Sequence, residues 1–191
     1  MRKQKMVKRK LGRTLPGDRS RDDIDSMIRV DHAGEYGAKR IYEGQLAVLG
    51  KNPKLKKLIE HMAAQEQVHL DFFEKEIAAR QVRPTALHPL WHVAGYALGA
   101  ITAKMSAEAA MACTVAVEEV ISEHYAEQLV ALKKNPREKK LYAAIKKFKA
   151  EEEEHHDIGL KHDAEQAAGY PLLTKAIKSG ARLAIAVAKH V

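Results

Sequence analysis

The sequence predicts an all-α fold in which four long helices pack as a bundle. Apolar residues recur every three or four positions along most of the chain, which is the pattern of amphipathic helices. Glycine and proline are sparse, with 11 and 6 residues among 191. No stretch convincingly alternates apolar and polar residues as a β-strand does. A chain of this length is expected to form one domain with a sizeable buried core.

Two apolar stripes in the first half of the chain predict a helical hairpin. Gly50 and Pro53 separate the two helices, since glycine and proline both mark helix ends, and the second helix ends before Pro84. The stripes consist of Ile24, Ile28, Ala38, Tyr42, Leu46 and Leu49 in the first helix, and of Leu55, Ile59, Met62, Phe73 and Ile77 in the second.

The second half of the chain predicts another hairpin. Its first helix runs from about Glu108 to Lys133. Asn135 is expected to cap the next helix, with Pro136 in the first turn, and that helix is expected to continue to about Ala168. The stripes consist of Met111, Val115, Tyr125, Leu129 and Leu132, and then of Leu141, Ile145 and Phe148.

Two segments differ from the hairpins. Residues 84–103 contain no charged residue and could cross a bilayer by length, but their histidines, prolines and small residues favour an interfacial or core element. Residues 171–191 have the pattern of an amphipathic helix that lies in a membrane surface. The alternative is a terminal helix that packs on the bundle and leaves its basic face in water. Its cations are Lys175, Lys178, Arg182 and Lys189, opposite Leu173, Ile177, Ala184 and Val187.

The basic excess is confined to an N-terminal arm, residues 1–21. The formal net charge is +8, and this arm carries nine Lys or Arg against Asp18 alone. Residues 22–191, the predicted domain, are therefore balanced, which excludes a uniformly basic domain that coats nucleic acid. We interpret the arm as a disordered or surface-binding tail, with a cleaved organelle-targeting segment as the alternative. No apolar run follows the basic start, so no secretory signal is expected.

Cys113 is the only cysteine of the chain. The chain therefore has no intrachain disulfide, no cysteine-based zinc site and no iron–sulfur cluster of its own. A reducing compartment fits this composition best.

An internal repeat gives each hairpin the same order of polar residues. Glu35 is followed by Tyr, Gln and Leu at +7, +10 and +11, and Glu118 is followed by the same residue types at the same offsets. Each hairpin then contains the pattern Glu-x-x-His-x-Asp. The repeated residues are Tyr42, Gln45, Leu46, Glu66, His69 and Asp71 in one hairpin, and Tyr125, Gln128, Leu129, Glu152, His155 and Asp157 in the other.

The repeat predicts a buried site for two metal ions. Residues three apart share a helix face, and both Glu-x-x-His pairs keep the phase of their apolar stripes. Carboxylates in a core are very costly unless cations compensate them. One Glu from each of two helices with Glu-x-x-His from each of the others is the ligand set of ferritin-like di-iron or di-manganese bundles. The predicted ligands are Glu35, Glu66, His69, Glu118, Glu152 and His155.

The fold expected is therefore a ferritin-like four-helix bundle of two hairpins, with an apolar insert between them and an amphipathic C-terminal helix. Glu153 and His156 also have Glu-x-x-His spacing, but their helix face carries Tyr142, Lys146 and Lys149, so we assign them to the surface. Glu119 is excluded because the Tyr and Gln offsets align with Glu118.

Several other residues are candidates for roles around the metals. Asp31 and Asp157 are candidates to accept the N–H groups of the ligand imidazoles, with ordinary salt bridges as the alternative. His124 and Tyr125 are candidate relays for electrons and protons, with packing as the alternative. Small residues around Glu35 indicate that the open side of the cluster faces the first helix; they are Ala33, Gly34, Gly37 and Ala38.

Long motifs in this sequence resemble those of the demethoxyubiquinone hydroxylase family. Residues 30–38 read VDHAGEYGA and are followed by Arg40-Ile41-Tyr42, residues 112–119 read ACTVAVEE, and residues 154–160 read EHHDIGL. VRPT at residues 82–85 and PLW at residues 89–91 also match. The likeness runs from about Asp22 to the C-terminus and leaves only the N-terminal arm unmatched.

The resemblance implies a non-haem di-iron monooxygenase of ubiquinone biosynthesis. Such enzymes use O2 to hydroxylate the ring of a demethoxyubiquinone-type polyprenyl quinol, at the penultimate hydroxylation step. It implies that the six predicted ligands hold two iron ions, as Fe2+ or Fe3+. NADH or the reduced quinone itself is the electron source to consider, and the sequence contains no nucleotide-binding fingerprint.

The resemblance also implies a membrane surface as partner, because a polyprenyl substrate lies in the bilayer. Residues 84–103 and 171–191 are expected to dock a peripheral protein on the cytoplasmic face of a bacterial inner membrane or the matrix face of a mitochondrial inner membrane. Nucleic acid is not an expected partner, whereas other ubiquinone-biosynthesis proteins and a second copy of the chain are candidates. The alternatives are a ferritin-like oxidase or storage protein and a metal-free nucleic-acid-binding bundle.

Overall fold

The computed structural model describes residues 19–190, with side-chain surroundings from residue 23 onward. Within this range the chain forms α-helices and two short 3-10 turns and contains no β-strand, so the predicted all-α fold is confirmed. The helices are α1 (Arg19–Leu49), α2 (Pro53–Arg80), α3 (His88–Met105), α4 (Ala107–Leu132), α5 (Lys139–Lys161) and α6 (Tyr170–Ala188).

The core of the bundle consists of two main apolar clusters at different heights. One contains Met62 of α2 and Val115 of α4, and the other contains Phe73 of α2 and Ile145 of α5. Along α2, the buried Glu66 and His69 lie between the residues that belong to these two clusters. The hairpins α1–α2 and α4–α5 therefore hold a polar layer between two apolar ones.

Both hairpins begin their second helix after an asparagine, but the two starts differ. The Asn52 side chain accepts hydrogen bonds from the N–H groups of Lys54 and Leu55 and caps α2, whose first residue is proline. The Asn135 side chain accepts from the N–H of Arg137 and caps a 3-10 turn, Pro136–Glu138, instead of α5. The predicted cap is present, and α5 begins three residues later.

The predicted end of α5 near Ala168 is wrong, because the helix ends at Lys161. The backbone adopts a left-handed conformation at Asp163, with φ 62°, and a second 3-10 turn follows at Ala164–Gln166. Ala164 and Ala167 pack into the cluster of Met62 and Val115. The burial of these small residues thus favours a turn where the sequence alone would allow the helix to continue.

Helix α3, which contains most of the uncharged segment, lies close against α1. A Cβ on Gly99 would collide with the carbonyl oxygen of Ile41, and a Cβ on Gly95 would lie 2.8 Å from the carbonyl oxygen of Gly37. The other side of α3 carries an exposed apolar stripe of Leu90, Val93, Ile101 and Met105. No helix among residues 19–190 combines the length and apolar character needed to cross a bilayer.

Helix α6 packs on α4. Ile177 is buried against this helix, Lys178 pairs with Glu119, and Arg182 donates to Glu123 at 2.9 Å. The apolar face of α6 therefore packs on the bundle, as the alternative interpretation of this segment expected. Leu172 and Leu183 remain exposed on its other side.

The predicted N-terminal arm falls almost wholly outside the described residues. Its predicted disorder concerns residues 1–18, which lie outside that range. Residues 19–21, which we assigned to the arm, belong to α1. The helical part of the chain therefore begins before the predicted boundary at residue 22.

The close approach of α3 to α1 gives a stability prediction. Gly99→Ala is expected to lower the free energy of unfolding by about 1–3 kcal/mol, because the added methyl group meets backbone atoms that yield only if the helices separate. Urea denaturation followed by circular dichroism measures the change. Gly180→Ala on α6 is the matched control, since its Cβ would have no neighbouring atom within 4 Å.

The control variant is expected to be neutral or to gain up to about 1 kcal/mol, because alanine is the better helix former. Equal losses of stability in Gly99→Ala and Gly180→Ala would contradict a tight contact between α1 and α3.

Candidate metal centre

The structure brings all six predicted ligands together at the centre of the bundle. Helices α1 and α4 each contribute one glutamate, and α2 and α5 each contribute a Glu-x-x-His pair, all of them at most 1% exposed. Their donor atoms form two groups, in each of which the atoms lie within 4.8 Å of one another. The groups are Glu35, Glu66, His69 and Glu152, and Glu66, Glu118, Glu152 and His155.

Both imidazoles turn Nδ1 toward the carboxylates. Nδ1 of His69 lies 3.1 Å from Oε1 of Glu152 and 3.3 Å from Oε2 of Glu35. Nδ1 of His155 lies 3.2 Å from Oε2 of Glu152 and 3.2 Å from Oε1 of Glu66. Glu66 and Glu152 belong to both groups, as carboxylates that bridge two cations would.

The donor atoms at this centre fit metal ions because they lack protein hydrogen-bond partners. Buried polar atoms in native proteins are nearly always paired, and carboxylate oxygen with imidazole nitrogen suits iron or manganese. Within the described part of the chain no hydrogen bond reaches Oε2 of Glu35, Oε2 of Glu118, Nδ1 of His69, Nδ1 of His155, or either carboxylate oxygen of Glu66 and Glu152.

The electrostatics of this centre show the cost of gathering these acids. Burial, followed by repulsion from Glu152 and Glu35, raises the pKa of Glu66 well above its usual value. Burial also raises the pKa of Glu118, again with repulsion from Glu152. Burial alone would lower the pKa of His69, but its contacts with Glu152 and Glu35 raise it to about 11. Cations bound at this centre would offset the same repulsion, and their binding would compete with protons.

Two tyrosines hold the lone glutamates in a crossed arrangement. The hydroxyl of Tyr42 on α1 donates to Oε1 of Glu118 on α4 at 2.6 Å. The hydroxyl of Tyr125 on α4 donates to Glu35 on α1. Tyr125, a candidate relay, is therefore in direct contact with a predicted ligand, whereas the adjacent His124 is not among the ligand groups.

Asp31 and Asp157 do not accept from the ligand imidazoles; each instead makes an ion-pair contact with a histidine that is not a ligand, which was the stated alternative. Oδ1 of Asp157 lies 3.3 Å from Nδ1 of the surface residue His156, and Asp31 accepts from Gln128 at 2.6 Å, with His124 3.6 Å away. Neither aspartate contacts the imidazole of a ligand, because Asp31 is directed at Gln128 and His124 of α4 and Asp157 is 64% exposed.

Glu151 and Gln65 contact the ligand imidazoles instead. Nε2 of His69 lies 2.9 Å from Oε2 of Glu151, and Nε2 of His155 lies 2.9 Å from Oε1 of Gln65. Each contact crosses from one hairpin to the other. The signal in the sequence is the position itself, since each of these residues directly precedes the Glu of a Glu-x-x-His pair.

The two repeated glutamines also cross between hairpins. Nε2 of Gln45 donates to the carbonyl oxygen of Ala110 at 3.0 Å and lies 3.3 Å from Oγ1 of Thr114. Gln128 donates in the same way to Asp31. Burial raises the pKa of Asp31, although contacts with His124 partly offset this. The repeat marked these glutamines without assigning them a role.

The residues that we excluded from the site lie outside it. The Glu153 side chain is 58% exposed and pairs with Lys149, and Glu119 pairs with Lys178. Space also remains beside two glycines of α1, since a Cβ on Gly34 or Gly37 would have no neighbouring atom within 4 Å. That the open side of the cluster faces α1 stays a prediction.

Comparison with known proteins shows which family this chain belongs to. The family model described as "Ubiquinone biosynthesis protein COQ7" matches residues 22–188. The chain belongs to this family. Its relatives are named as hydroxylases, and a buried cluster of glutamates and histidines compatible with metal binding lies at the centre of the bundle.

Three relatives show how far the similarity extends. A 3-demethoxyubiquinol 3-hydroxylase of Rhodospirillum rubrum is 53% identical over 178 residues, which cover 93% of this chain and 83% of that protein. A mitochondrial NADPH-dependent 3-demethoxyubiquinone 3-hydroxylase of Homo sapiens is 52% identical, covering 90% of this chain and 80% of that protein. A mitochondrial 5-demethoxyubiquinone hydroxylase of Saccharomyces cerevisiae is 43% identical, covering 88% of this chain and 78% of that protein.

Adjacent glutamates on α5 test the register of the site. Glu152→Ala is expected to lose at least half of the iron that the wild-type chain retains after anaerobic reconstitution, because this carboxylate belongs to both ligand groups. Glu153→Ala removes a carboxylate that is paired only at the surface and is expected to retain wild-type iron. Iron per chain is measured by mass spectrometry after gel filtration, and equal losses in both variants would refute this register.

Proposed function

We propose that this chain is a 3-demethoxyubiquinol 3-hydroxylase whose six buried ligands hold two iron ions. The observation that carries the proposal is the cluster of buried carboxylate and imidazole donor atoms at the bundle centre that make no hydrogen bonds, in a chain whose relatives are named as hydroxylases of demethoxyubiquinol or demethoxyubiquinone. The substrate class is a demethoxyubiquinone-type quinol with a polyprenyl tail, and the co-substrate is O2.

Two bound iron ions would supply the redox chemistry that activates O2. The residues of the chain hold the ions, orient the ligands and exclude water. Glu66 and Glu152 face both metal positions, and the hydroxyls of Tyr42 and Tyr125 fix the lone glutamates. The apolar clusters on either side of the polar layer limit the access of bulk water.

Electrons must reach this buried centre from outside the chain. NADH or the reduced quinone itself is the source that we propose, and the human relative is named NADPH-dependent. Tyr125 contacts Glu35, and Nε2 of its neighbour His124, whose side chain is 12% exposed, lies 3.6 Å from Oδ1 of Asp31. These contacts support a relay of electrons and protons along this side of α4.

A membrane surface is the proposed source of the substrate. The outer stripe of α3 leaves Leu90, Val93 and Ile101 more than half exposed, and α6 exposes Leu172 and Leu183 on its outer side. Because the other faces of these helices pack on the bundle, docking would use only the outer faces. The human and yeast relatives are named mitochondrial, whereas a comparable relative is bacterial, so the proposed site is the inner membrane surface in either setting.

The proposed reaction is tested with the reduced, iron-reconstituted protein, demethoxyubiquinol and 18O-labelled O2. The expected product is the ring-hydroxylated quinone carrying one labelled oxygen atom, detected by mass spectrometry. Consumption of O2 without labelled quinone would favour a ferritin-like oxidase. Fewer than about one iron per chain would contradict a two-metal centre of the kind found in carboxylate bundles.

Docking is tested by sedimentation with anionic liposomes. A double substitution on α3, Val93→Ser and Ile101→Ser, is expected to reduce the bound fraction several-fold because it removes exposed apolar area. Val130→Ser is the control, since Val130 and Val93 are each 64% exposed. Equal effects of the two variants would contradict the assigned surface, and binding unchanged by salt would contradict an electrostatic contribution.

A further inference from the structure

The two halves of the metal centre are related by the repeat, and their contacts can be compared one by one. Each lone glutamate accepts from a tyrosine of the other hairpin. Each repeated glutamine donates across to the other hairpin. Each ligand histidine likewise directs Nε2 at the residue before the other hairpin's Glu-x-x-His pair. The two halves therefore share these three kinds of contact, and the chemical identity of the partners can be compared between them.

The hydrogen bonds of the two histidines differ in chemistry and not in length. Both Nε2–O distances are 2.9 Å, but the partner of His69 is the carboxylate of Glu151, whereas the partner of His155 is the amide oxygen of Gln65. An ionised acceptor makes a hydrogen bond roughly twice as strong as a neutral one. A carboxylate also raises the basicity of a metal-bound imidazole. His69 is therefore the stronger donor to a metal ion.

A second difference falls on the same half. Asp31, which accepts from Gln128, corresponds in the repeat to Thr114, which lies beside Gln45. Asp31 is on the same helix as Glu35, one turn before it, and Glu35 belongs to the ligand group of His69. At these two positions an acid lies on the side of the His69 group and a neutral residue on the other side, although His124 lies 3.6 Å from Asp31 and partly offsets that acid.

Glu151 is held as a carboxylate at the edge of the bundle. Its side chain is 20% exposed, and Nζ of Lys147 lies 3.3 Å from Oε1, which leaves Oε2 to face His69. The two carboxylate oxygens therefore have separate partners. Lys147 fixes the position of Glu151 from the solvent side without taking the oxygen that His69 uses.

We infer that the two metal positions are unequal, with the position of Glu35 and His69 holding the more positive ion, and that Glu151 is the positioning residue responsible. The inference rests on the proposed function, because it requires two iron ions at this centre. Two iron ions held here would therefore differ in how easily they are reduced. The carboxylate of Glu151, acting through His69, would favour the higher charge at the position of Glu35 and His69.

The test exchanges the two acceptors without changing their positions. Wild type, Glu151→Gln, Gln65→Glu and the double exchange are loaded anaerobically with 57Fe2+, oxidised, and measured by Mössbauer spectroscopy. Wild type is expected to give two quadrupole doublets. Each single variant gives both imidazoles the same kind of acceptor and should bring the two splittings closer together. The double exchange restores unlike acceptors and should separate the splittings again.

Metal affinity provides a second readout that does not depend on turnover. Competition with a chelator should show that Glu151→Gln weakens one of the two Fe2+ equivalents by about 10-fold or more, as loss of such outer contacts usually does, and leaves the other unchanged. Glu153→Gln, the same substitution two residues away at an exposed position, is the control and should affect neither equivalent. If Glu151→Gln does not fold, Gln65→Glu makes the same comparison from the other half.

The outcomes separate this inference from the proposed function. A wild-type protein with two irons and labelled product but a single doublet would overturn the inequality and leave the hydroxylase proposal intact. Two unlike doublets that neither Glu151→Gln nor Gln65→Glu alters would overturn the assignment to Glu151. Fewer than about one iron per wild-type chain would overturn both, since the inference needs the two-metal ligand set.

Discussion

The burial of four carboxylates in one layer of a helical core is the constraint on which the rest of this structure depends. Such a layer is stable only if cations and hydrogen bonds offset the loss of water. The crossed contacts of Tyr42 and Tyr125 supply some of those bonds, and the carboxylate oxygens of Glu66 and Glu152, which make no hydrogen bonds, are compatible with bound cations. The two apolar clusters then confine the charged layer between them.

Much of this centre could be predicted from the sequence because the ligand pairs are set by the spacing of residues within single helices. Spacings of three and four residues place Glu66 with His69 and Glu152 with His155 on single helix faces, and the apolar stripes show that those faces point inward. The repeat then selects Glu118 over the adjacent Glu119. Helix ends were less predictable, because the turn at Asp163 follows from the burial of Ala164 against the core, which no local pattern records.

The hydrogen-bond partners of the ligand imidazoles and of the α6 cations depend on how the helices pack against one another. The sequence alone does not show that packing. Asp31 and Asp157 were reasonable acceptors by sequence distance, but the contacts to the ligand imidazoles come from the opposite hairpin, through Gln65 and Glu151. The cations of α6 present the same difficulty. Lys178 belongs to a pattern typical of membrane-surface helices, and its acidic partner becomes visible only when α6 lies beside α4.

The glycines between α1 and α3 also determine how much protein separates the outer surface of α3 from the candidate metal centre. Helices packed through larger side chains have axes about 8–10 Å apart, whereas Gly95 and Gly99 bring the α3 backbone into contact with the α1 backbone. Glu35 faces inward from α1, and the exposed stripe of α3 faces outward. A molecule held at that outer surface is therefore separated from the carboxylate layer by only two closely spaced helix backbones.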